Sequence, residues 1–119
     1  MRIRLTAEET VLEATLDDNR TAHDFASLLP LTLRMNDLRG REKYGRLPRP
    51  LTGVGPRRHE FETGDIVYWS PGPDVAFFYA HEGPSVPDPG IVLLGRIDSG
   101  ADVFKKYEGS VEVTAEVIV

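Results

Sequence analysis

Aromatic side chains in and beside the apolar runs are the residues of this sequence best suited to forming a ligand site. Tyr and Trp join an apolar ring to a polar tip, which suits the wall of a pocket. Adjacent residues of a strand face opposite sides of the sheet, so Tyr68–Trp69 and Phe78–Tyr79 must each divide between the core and an outer face. We expect a pocket wall built from Tyr44, Trp69 and Tyr79, with Phe78 as a further candidate ligand-binding residue, the alternative being that these rings only pack in the core.

Charged residues close to these aromatics could supply the polar groups of such a site. Glu42 lies between Arg41 and Lys43. A carboxylate held by two cations could act as a general base or as an anchor for a ligand, and it could equally be a solvated ion pair. Arg46 and Arg58 follow in the same basic segment and are the candidate cations at the rim of the pocket.

Other kinds of catalytic or cofactor site have no signature in the sequence. His23, His59 and His81 do not have metal-ligand spacing, and cysteine is absent, so we expect neither a metal site nor a disulfide. No serine lies in a nucleophile elbow. The glycines of segment 53–56 lack the flanking strand and helix of a phosphate-binding loop, so we expect no cofactor.

The net charge of −5 is unevenly distributed along the 119 residues. Segment 34–58 contains eight basic and two acidic side chains and carries +6, whereas the remaining six basic and 17 acidic side chains give −11. A basic segment on an acidic body could attract an anionic partner, or it could be a solvated loop. Only Tyr44 is interleaved with the bases, so the stacking platform of a nucleic-acid-binding surface is missing and we expect no such partner.

Length and composition predict a single globular domain over residues 1–119. Hydrophobic residues make up 40% and charged residues 28% of the chain, a balance typical of folded domains. The first ten residues contain no apolar signal core, and no segment is long and apolar enough to cross a bilayer. Together with the absence of cysteine, these features lead us to expect a cytoplasmic protein without a membrane partner.

Apolar alternation and turn residues predict about eight short strands and two short helices. Thr21 is the predicted cap of the first helix, with Asp24 as its capping-box partner, and segment 101–107 is the second helix. A turn is predicted at 36–40, and the apolar run 75–80 is predicted to be a central strand covered on both sides. The strands are predicted at 2–6, 10–16, 31–35, 42–47, 66–69, 75–80, 91–97 and 110–119.

The order of these elements and three short motifs resemble cyclophilins. Segment 95–103, with Gly95-Arg96-Ile97 at its start, resembles their late strand–turn–helix signature, and Ala76-Phe77-Phe78 is similar to their Gln-Phe-Phe strand. Ala22 and Phe25 match the apolar members of their first-helix motif. The short length and the middle of the chain look more like a family of short prokaryotic cyclophilin-like barrels of unassigned activity. The resemblance implies a mostly β fold, a closed barrel of about eight strands with two short helices capping its ends.

The resemblance also implies which catalytic residues to look for, and most of them are missing from the sequence. Cyclophilins isomerise X-Pro bonds with the Arg of a Phe-His-Arg strand, which weakens amide resonance beside an apolar floor. No Phe-His-Arg occurs here, and Ala76 stands where cyclophilins have the Gln before the Phe-Phe pair. A replacement cation could come from Arg39, Arg46 or Arg58.

Three functions therefore stay open at the level of the sequence. The first is a binding module for a small molecule or peptide, which we expect because a cyclophilin-like fold is combined with the loss of the isomerase motif. The second is a prolyl isomerase with an altered site, and the third is a protein-interaction module that docks through the basic segment. The candidate site of the binding module comprises Glu42, Tyr44, Arg46, Arg58, Trp69, Phe78 and Tyr79.

Overall fold

Eight antiparallel strands close into a barrel in the computed structural model, which describes residues 1–118. The strand order around the barrel is β1-β2-β7-β5-β6-β4-β3-β8, and β8 pairs with β1 to complete it. The predicted mostly β closed barrel is confirmed, and Val119 of the predicted last strand lies outside the described residues. The strands are β1 (Arg2–Ala7), β2 (Thr10–Leu16), β3 (Leu31–Leu38), β4 (Glu42–Arg46), β5 (Asp65–Trp69), β6 (Asp74–Phe78), β7 (Val92–Ile97) and β8 (Val111–Val117).

Alternation along the strands places one set of side chains inside the barrel. In β5 and β6, Ile66, Tyr68 and Phe77 belong to the interior hydrophobic cluster and are almost fully buried. Two short helices complete this core from outside the sheet: α1 (Arg20–Ala26) through Phe25 and a 3₁₀ helix (Ala101–Lys106) through Phe104. The helices therefore cap the barrel as predicted, each burying a single apolar face. No helix within residues 1–118 is long and apolar enough to span a membrane.

The start of α1 differs from the prediction. Asn19, not Thr21, is the N-cap, and its side-chain oxygen accepts a hydrogen bond of 2.8 Å from the backbone N–H of Ala22. Thr21 is instead fully buried within the first turn. Its hydroxyl donates to the carbonyl of Gly53 and accepts from the N–H of Gly55, so it ties the helix to the long loop after β4.

The turn predicted at 36–40 is also shorter than expected. The strand β3 continues to Leu38 because Asn36 and Asp37 pair with residues of β4, which compensates for the weak strand propensity of these side chains. The turn is reduced to residues 39–41, of which Arg39 and Gly40 lie in the left-handed region with φ of 57° and 64°. This tight connection leaves Arg39 and Arg41 at one end of the β4 strand.

The strand β6 is covered on both faces, as the uninterrupted apolar run 75–80 predicts. Val75 and Phe77 point into the barrel, whereas Ala76 and Phe78 belong to a second hydrophobic cluster on the outside. Two loops, 47–64 and 79–91, cover this outer cluster and contribute Phe61 to it, as well as Val86 and Ile91. The outer face of this part of the barrel is consequently a second apolar layer rather than a solvated surface.

A buried carboxylate holds the first of these loops against the barrel. Asp65 is fully buried at the start of β5. Its two oxygens accept from the guanidinium groups of Arg58 and Arg96, at 2.9 Å and 2.8 Å, and from the N–H of Glu62 at 2.8 Å. Since a buried carboxylate needs its acceptor sites filled, this arrangement ties the loop, β5 and β7 to one point.

The close contact of β7 with β2 generates a stability prediction. A Cβ on Gly95 would lie 2.3 Å from the carbonyl oxygen of Thr15, so we expect Gly95→Ala to lower the free energy of unfolding by about 1–3 kcal/mol or more. Gly55→Ala is the matched control, because a Cβ there meets only ordinary contacts, and it should change stability by less than about 0.5 kcal/mol. Urea unfolding measures the free energy of unfolding of both variants. Equal stability of Gly95→Ala and Gly55→Ala would contradict the close approach of β7 to β2.

Candidate ligand-binding groove

A groove of about 450 Å³ lies on the outer face of β4, β5 and β6, beneath the 79–91 loop. Its volume falls within the range of small-molecule sites. Ten of the fifteen lining residues are apolar or aromatic, and the other five are four charged residues and a serine. The lining comprises Leu38, Arg39, Arg41, Glu42, Tyr44, Val67, Trp69, Asp74, Ala76, Phe78, Pro84, Ser85, Val86, Pro87 and Ile91.

The floor of the groove is created by one small side chain between larger neighbours. Strand register places Ala76 of β6 directly between Tyr44 of β4 and Val67 of β5. Directly paired residues on one face of a sheet are close neighbours, so the missing volume at Ala76 leaves a depression. Phe78 continues the floor along β6 and stacks on Phe61 with a ring-centroid distance of 4.2 Å.

Two half-buried aromatic residues form the sides. Tyr44 and Trp69 each pack against the outer hydrophobic cluster while part of the side chain faces the groove. Trp69 is the single tryptophan of the chain, and strand register sets it opposite Asp74. Its fluorescence therefore reports on one end of the groove.

Arg41 closes the other end and is the most constrained residue of the site. Its side chain is 4% exposed, and the guanidinium carbon lies 4.6 Å from the ring centroid of Phe61. Its Nη1 donates to the carbonyl oxygens of Glu82 and Pro84, at 3.2 Å and 2.7 Å, and its Nε donates to Glu42 at 3.1 Å. Arg41 thus holds the loop wall to the barrel with hydrogen bonds and stacking together.

A histidine holds the same wall further along. The backbone N–H of Val86 donates to the carbonyl of His59 at 2.8 Å, and His59 Nδ1 lies 2.7 Å from the carbonyl oxygen of Val86. Val86 is thereby fixed over the floor, where it belongs to the outer hydrophobic cluster. The loop that bounds the groove is consequently attached by hydrogen bonds at three of its residues, Glu82, Pro84 and Val86.

Two carboxylates face the apolar lining, and burial affects both of them. Burial raises the pKa of Glu42 above its ordinary value, against the opposing effects of its hydrogen bond to Arg41 and of the nearby charge of Arg39. Burial also raises the pKa of Asp74, opposed by the charge of Arg46. Within residues 1–118, the Asp74 carboxylate accepts no hydrogen bond and has no cation within 4.0 Å, which leaves its acceptor sites open to a ligand.

Sequence comparison assigns the chain to a family. The family model described as the cyclophilin-like family matches residues 5–116. The chain belongs to the cyclophilin-like family. A hypothetical protein of the archaeon Archaeoglobus fulgidus, whose structure was determined in solution, has a similar fold with a TM-score of 0.66 and 23% identity, covering 98% of this chain and 93% of the archaeal one. A search of curated proteins finds no match.

This cyclophilin-like barrel brings four of the seven candidate residues together. Glu42, Tyr44, Trp69 and Phe78 all line the groove. They share it because their positions in β4, β5 and β6 alternate onto the outer face. The four residues are thus a single surface although 36 positions separate the first from the last in the chain.

The remaining three candidates lie elsewhere. Tyr79 belongs to the interior cluster, where burial raises its pKa, assisted by the hydrogen bond that its hydroxyl donates to Asp37. Arg46 is exposed at the end of β4 and does not line the groove. Arg58 is engaged with Asp65, as described above. The adjacent Phe78 and Tyr79 therefore face opposite sides, which confirms the expectation that the pair divides.

Lys43 is separated from Glu42 by the same alternation. It is fully buried, and its Nζ donates to the carbonyl oxygens of Tyr107 and Gly109 and lies 3.2 Å from Asp37. Lys43 fastens the chain after the 3₁₀ helix to β3 and β4. Half of the eight basic side chains of segment 34–58 are similarly paired with carboxylates within 4.0 Å, namely Arg41, Lys43, Arg49 and Arg58.

Sequence reasoning missed Arg41 and Asp74 as groove residues. Asp74 carries a signal that alternation could have found, because it is two residues before Ala76 and four before Phe78 on the same face. Arg41 has no such signal. It precedes β4, and its position depends on the carbonyls of a loop some 40 residues later in the chain.

The electrostatics of the groove generate a prediction about Glu42. Arg41→Met removes both the hydrogen bond and the nearest positive charge, so we expect the pKa of Glu42 to rise further above its ordinary value. Because the folded-state pKa then lies further above that of the unfolded chain than in the wild type, the variant should lose more stability as the pH rises from the unfolded-state pKa through the folded-state pKa. NMR titration of the Glu42 side-chain carboxyl carbon measures the first effect.

Two matched variants calibrate this titration. Arg39→Met should raise the pKa of Glu42 by less, because Arg39 acts only through its charge. Arg57→Met should leave it unchanged, since Arg57 donates to Ser70 outside the groove. An unchanged titration in Arg41→Met would contradict the ion pair.

Proposed function

We propose that the protein binds a small molecule or a short extended peptide in the groove on the outer face of β4, β5 and β6. The observation that carries the proposal is a concave apolar floor that contains a desolvated ion pair, Arg41–Glu42, at one end. Side chains of this kind are costly to bury, and their presence beside an apolar surface is typical of ligand sites. The groove is held open by polar contacts that do not depend on a ligand.

The proposal accounts for a feature that stability alone leaves unexplained. A larger residue at position 76 would fill the depression between Tyr44 and Val67 and extend the outer apolar layer. An alanine at this position instead keeps apolar area available to a ligand. Displacing water from such a surface favours binding by roughly 25 cal/mol per Å² buried.

Filling the groove should weaken binding without unfolding the barrel. We expect Ala76→Leu to weaken the affinity of any groove ligand by about tenfold or more, since the added side chain occupies the floor. The measurement is the change in Trp69 fluorescence on titration with a panel of aliphatic fragments and short tryptophan-free peptides. Thr32→Leu, on the exposed outer face of β3, is the control and should leave every response intact.

Two results would count against the binding module. One is a panel that leaves Trp69 fluorescence and the backbone amide shifts of the groove unchanged. The other is a ligand whose affinity is the same for the wild-type chain and for Ala76→Leu, provided that the variant melts at a similar temperature. Ala76→Val supplies a smaller filling change should the leucine prevent folding.

A second candidate function is prolyl isomerisation at an altered site, which one observation favours. The guanidinium of Arg41 lies 5.7 Å from the ring centroid of Phe78, so a cation does stand beside the apolar floor. Its Nε and Nη1 are already engaged with Glu42 and two loop carbonyls, however, which leaves little capacity to polarise a prolyl amide. We therefore place this activity second.

A protease-coupled assay on an X-Pro peptide distinguishes the two functions. We expect the isomerisation rate to equal the uncatalysed rate, because the barrier of about 18–20 kcal/mol is lowered only by a donor free to act on the amide. An acceleration that disappears in Arg41→Lys or in Arg39→Gln would establish the isomerase instead. Arg57→Gln is the control outside the groove.

A further inference from the structure

The charged side chains of the groove fall into one neutral pair and two unpaired groups at opposite ends. Arg41 and Glu42 neutralise each other through the 3.1 Å contact. Arg39 and Asp74 have no oppositely charged group within 4.0 Å in the part of the chain that the structure describes. The lining as a whole is therefore close to neutral, but it has a positive end and a negative end.

The two unpaired charges are separated by the length of β4. Arg39 lies in the turn that leads into β4 beside Glu42, whereas Asp74 pairs in register with Arg46 at the far end of the same strand. Four strand residues at about 3.4 Å each place the ends roughly 14 Å apart. The floor between them is apolar and contains Ala76 at its middle.

Each end has further groups that a charged ligand would meet. At the positive end, Arg39 and Arg41 both line the groove and both act on Glu42, so that a carboxylate would meet two cations and one anion. At the negative end, Trp69 is opposite Asp74 in register, and the face of an indole ring attracts ammonium groups. Asp74 itself has open acceptor sites, which an ammonium group would fill.

We infer that the groove binds a dipolar ligand, a small molecule whose extended apolar body carries a carboxylate at one end and an ammonium group at the other. The carboxylate lies toward Arg39, and the ammonium group lies between Asp74 and Trp69. An ω-amino acid and a short peptide with free termini share this chemistry. The inference rests on the proposed binding function and adds to it the charge pattern, the orientation and the length of the ligand.

Matched probes separate the contribution of each end. 10-Aminodecanoate carries both charges, whereas decanoate and decylamine carry one each on the same apolar chain, and all three are titrated below their micelle concentrations. We expect the dipolar probe to bind roughly three- to tenfold more tightly than either singly charged probe, as partly exposed ion pairs allow. Trp69 fluorescence and amide chemical shifts give the dissociation constants.

Peptide probes distinguish the two sources of the same chemistry. The tetrapeptide Ala-Leu-Leu-Ala with free ends is compared with its acetylated and amidated form. Loss of affinity on blocking supports the inference with a peptide as the ligand. If 10-aminodecanoate binds but the free-ended peptide does not, the inference is supported with a non-peptide amphiphile as the ligand.

Charge-removing variants assign each end of the probe to a residue. Arg39→Gln should weaken 10-aminodecanoate and decanoate by about three- to tenfold and leave decylamine unchanged. Asp74→Asn should weaken the binding of 10-aminodecanoate and decylamine and leave that of decanoate unchanged. Arg46→Gln should strengthen the binding of decylamine, because it removes a cation whose charge acts on Asp74. Arg57→Gln is the control outside the groove and should change none of the affinities.

The outcomes separate failure of this inference from failure of the binding function. Equal affinities for the three ten-carbon probes, or affinities unaffected by Arg39→Gln and Asp74→Asn, would overturn the dipolar ligand while leaving a binding groove. Absence of any response from Trp69 or from the amides of the groove, with every probe, would overturn both.

Discussion

The outer face of β5 and β6 carries a hydrophobic cluster of its own, and the rest of the structure depends on how this second face is covered. A barrel strand normally buries one side and exposes the other. Here the second side carries Val67, Ala76 and Phe78, which the barrel itself cannot bury. Two long loops have to lie over these side chains, and the groove is the part of the face that they leave open.

Loops without regular structure need polar attachments to stay on an apolar surface, and buried charges provide them here. Asp65 holds one loop through Arg58 and the N–H of Glu62. Arg41 holds the other loop through two carbonyls and through stacking on Phe61. Removing the partners of either group would leave a buried charge unpaired, which is far more costly than losing an exposed ion pair. The same residues that stabilise the cover therefore define the shape of the groove.

Local pattern predicted the elements well and their ends less well. Alternation and apolar runs located every strand of the barrel, because a period of two is visible within five or six residues. The cap of α1 and the turn after β3 were wrong for a common reason. Thr21 is engaged by Gly53 and Gly55, and Asn36 and Asp37 are held in β3 by pairing with β4, so distant backbone overrides local preference in both cases.

The sequence by itself determined the strands and the division of Phe78 from Tyr79 between two faces, because both follow from short-range periodicity. The closed barrel was implied by the resemblance to cyclophilins. The tertiary structure alone decided which candidates share a site. It placed Glu42 beside the groove and Lys43 inside the barrel, engaged Arg58 with Asp65, and drew Arg41 and Asp74 into the lining. These positions depend on strand register and on loop carbonyls far away in the chain, which no local pattern encodes.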